Sequence, residues 1–146
     1  MMNYKIQGTP NSPVLIFSNS LGSTFQMWEK VVPLLLPYFR VINYDTRGHG
    51  QNKHIGQQKT NWSMADLGQD VVSILDDLGV EKAHFCGLSM GGLIGQWLAI
   101  HHSSRINSLI ISNSAAKIGD IERWNNRIDT ILSNGMESIV SDTMER

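Results

Sequence analysis

Short apolar runs alternate along the chain with longer stretches whose apolar residues recur at three- and four-residue steps. Val14-Leu15-Ile16-Phe17 follows a turn-forming cluster from Gly8 to Pro13 and predicts a buried strand. Arg40 to Tyr44 predicts a second strand, Ala83 to Cys86 a third and Leu109-Ile110-Ile111 a fourth. Between them, Phe25 to Val32 predicts a short helix disturbed by Pro33. Leu67, Val71, Ile74, Leu75 and Leu78 mark one face of a longer helix, and Met90 to His102 predicts another. Ser63 offers an N-cap hydroxyl with Asp66 three residues on, a variant of the capping box, and Gly79 is suited to the C-terminal cap. The polar stretch from Gln51 to Asn61 predicts a mobile loop. The resulting order, β-α-β-α-β-α-β, predicts the α/β class: a mostly parallel sheet with helices on both faces. From Asp120 the chain turns helical around Trp124, Ile128, Ile131 and Leu132, breaks at Asn134-Gly135 and resumes toward Arg146. No strand follows.

Composition narrows the classes. At 146 residues the chain suits one domain or one piece of a larger one, and 41% hydrophobic residues suffice for a core. A net charge of −1 gives no basic excess for nucleic acid and no acidic tail. One cysteine forms no internal disulfide and, alone, no cysteine-based zinc site. The first eight residues carry no apolar signal segment, and the richest apolar stretch, Val31 to Pro37, is broken by two prolines. It is far short of the ~20 residues of a membrane-spanning helix. The expectation is a cytoplasmic protein without membrane or nucleic-acid partners.

The chemistry concentrates at Gly87-Leu88-Ser89-Met90-Gly91, a G-x-S-x-G sequence between a predicted strand and a predicted helix. A nucleophile elbow requires that context. The turn holds the serine in strained backbone angles, so Gly87 and Gly91 stand where a Cβ would collide. Ser89 is the expected nucleophile, at the start of a helix whose dipole favours developing negative charge. An oxyanion hole needs the amide after the nucleophile, Met90, and a second from the loop after the first predicted strand. That loop reads Ser18-Asn19-Ser20-Leu21-Gly22, which makes the Leu21 N–H the second expected donor.

Asp45-Thr46-Arg47-Gly48-His49-Gly50 supplies an acid and a histidine, but both precede Ser89, whereas triads on such sheets run serine, acid, histidine. A structural role is expected instead, with Asp45 and Arg47 paired to anchor the strand-end loop. The other histidines are His54, His84, His101 and His102. The last two end the helix that starts at the elbow; at a rise of ~1.5 Å per residue they lie well over 15 Å from the Ser89 hydroxyl. The acids after Ser89, namely Asp120, Glu122, Asp129, Glu137, Asp142 and Glu145, fall in the helical tail rather than at a strand end. The expectation is a nucleophile and hole without their acid and base. Cys86 is expected to be a small buried hydrophobe rather than a second nucleophile, and Trp28 and Trp97 to be core or pocket wall.

Taken together, Ser18 to Gly22, Tyr44 to Gly50, Ala83 to Gly92 and Ala115 to Gly119 resemble the 3-oxoadipate enol-lactonases, α/β-hydrolases of the β-ketoadipate pathway of bacterial aromatic catabolism. The resemblance implies hydrolysis of the enol-lactone to 3-oxoadipate through a serine acyl-enzyme. Water is then the second substrate, and no metal or organic cofactor takes part. Family members carry a helical cap and then further strands bearing the Asp and His of the triad. On that reading, residues 1–118 are the N-terminal half of the core, residues 119–146 begin the cap, and the isolated chain is inactive. Trp124 and Arg127 fall where a cap would begin and are candidate substrate contacts. Gln51 to Lys59 is more polar than the family suggests. Two alternatives remain: another α/β-hydrolase (a carboxylesterase, a cofactor-free haloperoxidase or a carbon–carbon bond hydrolase) or an inactive fragment.

Overall fold

A computed structural model describes residues 2–55 and 61–144. The five strands are β1 (Tyr4–Gln7), β2 (Val14–Ser18), β3 (Arg40–Tyr44), β4 (Ala83–Leu88) and β5 (Ile106–Ser112). They form one sheet in the order β1-β3-β2-β4-β5. β1 runs antiparallel to β3, and the other pairings are parallel. The predicted strands are all present, two of them longer than their apolar cores: β4 continues through Gly87 and Leu88, and β5 spans seven residues. β1 was not expected from the apolar pattern. Its alternation (Tyr4, Ile6 against Lys5, Gln7) is short and sits beside a turn cluster, and pairing with β3 over four residues makes it a strand.

The pleat sends alternate residues to opposite faces. Ile16, Ile42, Tyr44 and Phe85 enter a core shared with Leu67, Val71, Ile74 and Leu75 of α2 (Met64–Asp77) and Ile94 and Leu98 of α3 (Met90–His101). Each such fully buried aliphatic side chain contributes about 1.5–3 kcal/mol relative to exposure. Leu15, Phe17 and Val41 face the other way and meet Val32, with Trp28, Leu35 and Phe39 packed around them. Helices therefore cover both faces. The segment expected as one helix over Phe25 to Val32 is two pieces, a 3-10 turn at Phe25–Trp28 and α1 at Val32–Leu35. Pro33 lies in the first turn of α1, where its missing N–H costs nothing, so it starts a helix rather than disturbing one.

α2 has the expected ends. The Ser63 hydroxyl accepts from the Asp66 amide, and the Asp66 carboxylate accepts from the Ser63 amide, closing the capping box. At the far end Gly79 takes φ +63°, while Val80 N–H donates to Leu75 O and Gly79 N–H to Asp76 O. These two bonds are a Schellman cap. α2 and α3 approach closely because Gly68 leaves room for the Trp97 ring, which a Cβ there would meet at 2.0 Å.

Of the stretch expected to be mobile, Gly50–Asn52 is a 3-10 turn; residues 56–60 lie outside the described residues. Contacts divide the chain into two units, Met1–Ala116 and Lys117–Arg146. The second holds α4 (Ile121–Asn134), a 3-10 turn at Met136–Ile139 and α5 (Val140–Met144). Asp120 caps α4 by accepting from the Arg123 amide, and Gly135 at φ +78° ends it. Among the described residues no helix is long and apolar enough to cross a membrane.

Candidate active site

Ser89 sits between β4 and α3 with φ 55° and ψ −111°, a sparsely populated conformation that costs about 1–3 kcal/mol unless its surroundings impose it. Here they do. The Ser89 N–H donates to Ser112 O at 2.9 Å, and its carbonyl accepts from Gly92 N–H at 2.9 Å and from the Ser114 hydroxyl at 2.7 Å. Both glycines of the motif sit where no side chain fits. A Cβ on Gly87 would lie 2.1 Å from Gly91 O, and one on Gly91 would lie 2.2 Å from Ser18 O. Gly92, outside the motif, is also crowded: a Cβ there would lie 2.5 Å from the Ser114 side chain. The strand–turn–helix expected around Ser89 is therefore present, with α3 beginning at Met90.

The loop after β2 lies against this turn, joined to it by Gly91 N–H donating to Asn19 O at 3.1 Å. Ser23 N–H donates to Ser20 O, which closes a turn with Leu21 and Gly22 at its centre. Gly22 at φ +78° after a residue of negative φ makes it type II, the form that calls for glycine at that position. Buried side chains brace the loop from below. Asn19 donates to Tyr44 O at 2.9 Å and accepts from the Trp28 indole N–H at 2.8 Å, while the Ser18 and Tyr44 hydroxyls share a 2.8 Å bond. Burial pushes the Tyr44 phenol well above its usual pKa, so it stays neutral and available for that bond.

Among the described residues, Leu21 N–H and Met90 N–H donate to no other protein group. They belong to the two segments that Gly91 N–H ties together. Two unspent donors beside a strained serine could stabilise an oxyanion.

The Asp45–Gly50 loop has the structural role expected, with one correction: Arg47 pairs with Asp70 of α2, not with Asp45. Its guanidinium makes a two-pronged contact, Nε to Oδ2 at 2.7 Å and the terminal nitrogen to Oδ1, with both side chains largely buried. That carboxylate raises the arginine pKa further, against the effect of burial. The Trp62 ring lies over the guanidinium at 5.7 Å. Asp45, itself buried, instead accepts from the amides of Phe25 at 2.7 Å and Gln51 at 3.0 Å, which stitches the two loops together. The reason is reach. A carboxylate one residue from the strand end meets backbone amides, whereas the longer arginine extends to the neighbouring helix.

The histidines have other work. His49 accepts from Gly22 N–H through Nε2 at 2.9 Å, with Nδ1 at 3.2 Å from Arg47 O. His84 bonds Ser108 at 2.7 Å across the β4–β5 pair, and His101 and His102 lie against Trp97. None of these four is bonded to Ser89. Cys86 is half-buried against the Leu15–Phe17 cluster, and burial pushes its thiol pKa up, away from the nucleophilic form. Among the described residues no three His, Cys, Asp or Glu side chains converge as a metal set.

Within the second unit, the Trp124 indole donates to Ile118 O at 2.7 Å and Arg127 reaches the Thr143 hydroxyl at 3.4 Å. Asp120 is spent on its helix cap, and Glu122, Asp129 and Glu137 are exposed. Glu145 and the Asp142 side chain lie outside the described residues. Residues that reading the sequence missed are Ser112, Ser114 and Asp70. The Ser-Asn-Ser run at the end of β5 is the available sign of the first two; nothing local marks Asp70, which sits on the buried side of a helix.

Residues 13–145 match the model of the alpha/beta hydrolase fold family. The chain is 45% identical over 145 residues to 3-oxoadipate enol-lactonase 1 of Acinetobacter baylyi, which spans 99% of this chain and 53% of that protein. The crystal structure of the enol-lactonase from Burkholderia xenovorans superposes with a TM-score of 0.93 at 39% identity, covering 99% of this chain and 55% of that one. A thermophilic esterase from Thermogutta terrifontis superposes with a TM-score of 0.86 at 26% identity, covering 99% and 53%. The chain spans about half the length of the relatives it matches.

Proposed function

The chain belongs to the alpha/beta hydrolase fold family, and from that premise we propose that it carries the nucleophile and oxyanion hole of a 3-oxoadipate enol-lactonase. The observation that carries the reading is the strained backbone of Ser89, held between β4 and α3 by glycines and main-chain bonds with no other evident purpose. The identity to enol-lactonases over nearly the whole chain supports the choice of substrate.

In the proposed reaction the Ser89 oxygen attacks the lactone carbonyl and gives up its proton to a general base. The carbonyl oxygen becomes an oxyanion held by the Leu21 and Met90 N–H groups. Collapse breaks the ring C–O bond and releases the enol, which takes a proton and remains tethered through the new ester to Ser89. Water then hydrolyses that ester and frees Ser89, and the enol tautomerises to the ketone of 3-oxoadipate. Tautomerisation removes the oxygen nucleophile that could close the ring again. None of the steps uses a metal or an organic cofactor. None of His49, His84, His101 and His102 is bonded to Ser89, and in keeping with the resemblance to the enol-lactonases the base and its acid are assigned to sequence outside these 146 residues. Trp124 and Arg127 remain proposed substrate contacts.

The test is a fusion of residues 1–146 to the half of the Acinetobacter lactonase that follows the matched region, assayed on the enol-lactone and on p-nitrophenyl acetate. Lactone turnover that disappears in Ser89→Ala is expected. Ester hydrolysis without lactone hydrolysis would overturn the substrate, and full activity in Ser89→Ala would overturn the mechanism.

A further inference from the structure

The Asp45–Gly50 loop does more than anchor a strand. His49 reaches from it to the loop that carries Leu21, and both ring nitrogens are engaged: Nε2 takes the Gly22 N–H at 2.9 Å and Nδ1 lies 3.2 Å from the Arg47 carbonyl. A carbonyl only accepts and an amide N–H only donates, so this pair of partners selects one form of the ring. It is neutral, with its proton on Nδ1. The other tautomer would turn an N–H against the Gly22 N–H, and so would the imidazolium.

The bond falls at a sensitive place. In the turn closed by Ser23 N–H and Ser20 O, the peptide between Leu21 and Gly22 is the unit that flips when a type II turn becomes type I. Glycine tolerates both forms, so residue type does not hold the flip. The His49 bond holds it. We propose that His49 is a positioning residue: as the neutral Nδ1–H tautomer it locks the Leu21–Gly22 peptide and so holds the turn whose preceding peptide carries the Leu21 N–H proposed to face the oxyanion. The catalytic part of this inference rests on the proposed role of Leu21; the tautomer and the lock do not.

The surroundings leave the imidazole free to act this way. The loop from Ser20 to Thr24 and the 3-10 turn after it carry no ionisable side chain. Among the described residues, Asp45 and Arg47 of its own loop and Asp66 and Asp70 of α2, the helix that loop is paired to, all have partners of their own. Lys53 and His54 follow in the same loop and are exposed.

Two measurements on the chain decide the matter. Long-range nitrogen–proton NMR of ¹⁵N-labelled protein at pH 8 reads the tautomer directly; a protonated Nδ1 and a bare Nε2 are expected. A protonated Nε2 overturns the proposal without any variant having to fold. The second compares His49→Gln, whose amide oxygen can stand in for Nε2, with His49→Phe, which keeps a ring but no acceptor. Gly22 amide exchange should rise at least tenfold in His49→Phe and stay within threefold of the parent in His49→Gln. The rate of Ser89 acylation by p-nitrophenyl acetate should follow the same order, about tenfold down and then rescued. Equal exchange in the two variants contradicts the lock. Parallel exchange with unchanged acylation would leave the lock standing and remove its catalytic meaning. Failure of Ser89 to acylate in the parent would count against the serine mechanism alone, since exchange and tautomer still judge His49.

Discussion

β2 and β5 flank the same strand, both run parallel to β4, and both are built on short aliphatic runs, yet they end in opposite conditions. All five residues of β2 are buried, whereas none of the seven residues of β5 is. β2 lies between β3 and β4 with packed side chains on both faces; among the described residues β5 pairs with β4 alone and leaves Ile110 57% and Ile111 43% exposed. An apolar run thus determines that a strand forms, while its coverage determines whether it is core. The difference extends to the loops at the strand ends. Beyond β2 the chain is tied down by Asn19, Trp28, Tyr44, Asp45 and His49. Beyond β5 the ties are Ser114 to Ser89 O and Gln96 to Ala115 O. Ser89 stands at the junction, with one of its proposed oxyanion donors, the Leu21 N–H, on the braced side.

The comparison breaks most readily on the β2 side. Gly91→Ala drives a Cβ into Ser18 O, a backbone atom that cannot rotate away, and should cost more than about 3 kcal/mol in urea unfolding. Gly22→Ala in the loop after β2 meets open space and should cost only the ~1 kcal/mol of its left-handed backbone. Comparable losses in the two variants would show that crowding at the elbow is not what distinguishes the two glycines. Next in size, Arg47→Ala strands the Asp70 carboxylate and should cost about 2–4 kcal/mol, while Asp45→Asn should spare the Arg47–Asp70 pair. If instead Arg47→Ala unfolds at the parent midpoint, the loop is anchored otherwise.

Tyr44→Phe leaves the Ser18 hydroxyl without its partner and should cost about 1–2 kcal/mol. It also carries a pH signature. Burial raises the folded-state pKa of Tyr44 above the usual 10.0, so the unfolded chain releases that proton first as pH rises. Stability from this group is complete below pH 10 and falls above it, by about 1.4 kcal/mol per pH unit. The parent should lose stability between pH 10 and 11 more steeply than Tyr44→Phe; parallel curves would contradict the assignment. The smallest effect belongs to β5. Ile110→Lys should change stability by less than about 0.5 kcal/mol, because the residue is more than half exposed, while reducing concentration-dependent association on size exclusion. A large loss of stability would mean that β5 is core after all.

Legibility in the sequence followed the same division. Features that depend on local chemistry were readable: the α2 capping box and Schellman glycine, the strand–turn–helix at Gly87 to Gly91, and the two loops meeting at Ser89. What depended on distant partners was not. Sequence proximity points Arg47 to the nearest acid, Asp45, and cannot show that Asp70, 23 residues on, faces it from a buried helix side. β1 escaped because four alternating residues become a strand only when β3 lies alongside. His49 was recognised as structural, but its bond to Gly22 is 27 residues long and has no local signature.

The most direct test of the account is the site of acylation. An aryl ester suits the purpose, because its phenolate leaves without help from a general acid and acyl transfer to Ser89 then needs only the serine and the hole. The chain incubated with excess p-nitrophenyl acetate and digested for peptide mass spectrometry should gain one acetyl group on Ser89, accumulating slowly in the absence of a neighbouring base. In Ser89→Ala that adduct should vanish with no other site taking its place. Acetylation that proceeds at the same rate in Ser89→Ala, or that leaves Ser89 unmodified while labelling another side chain, would contradict the claim that the strained turn between β4 and α3 holds the nucleophile.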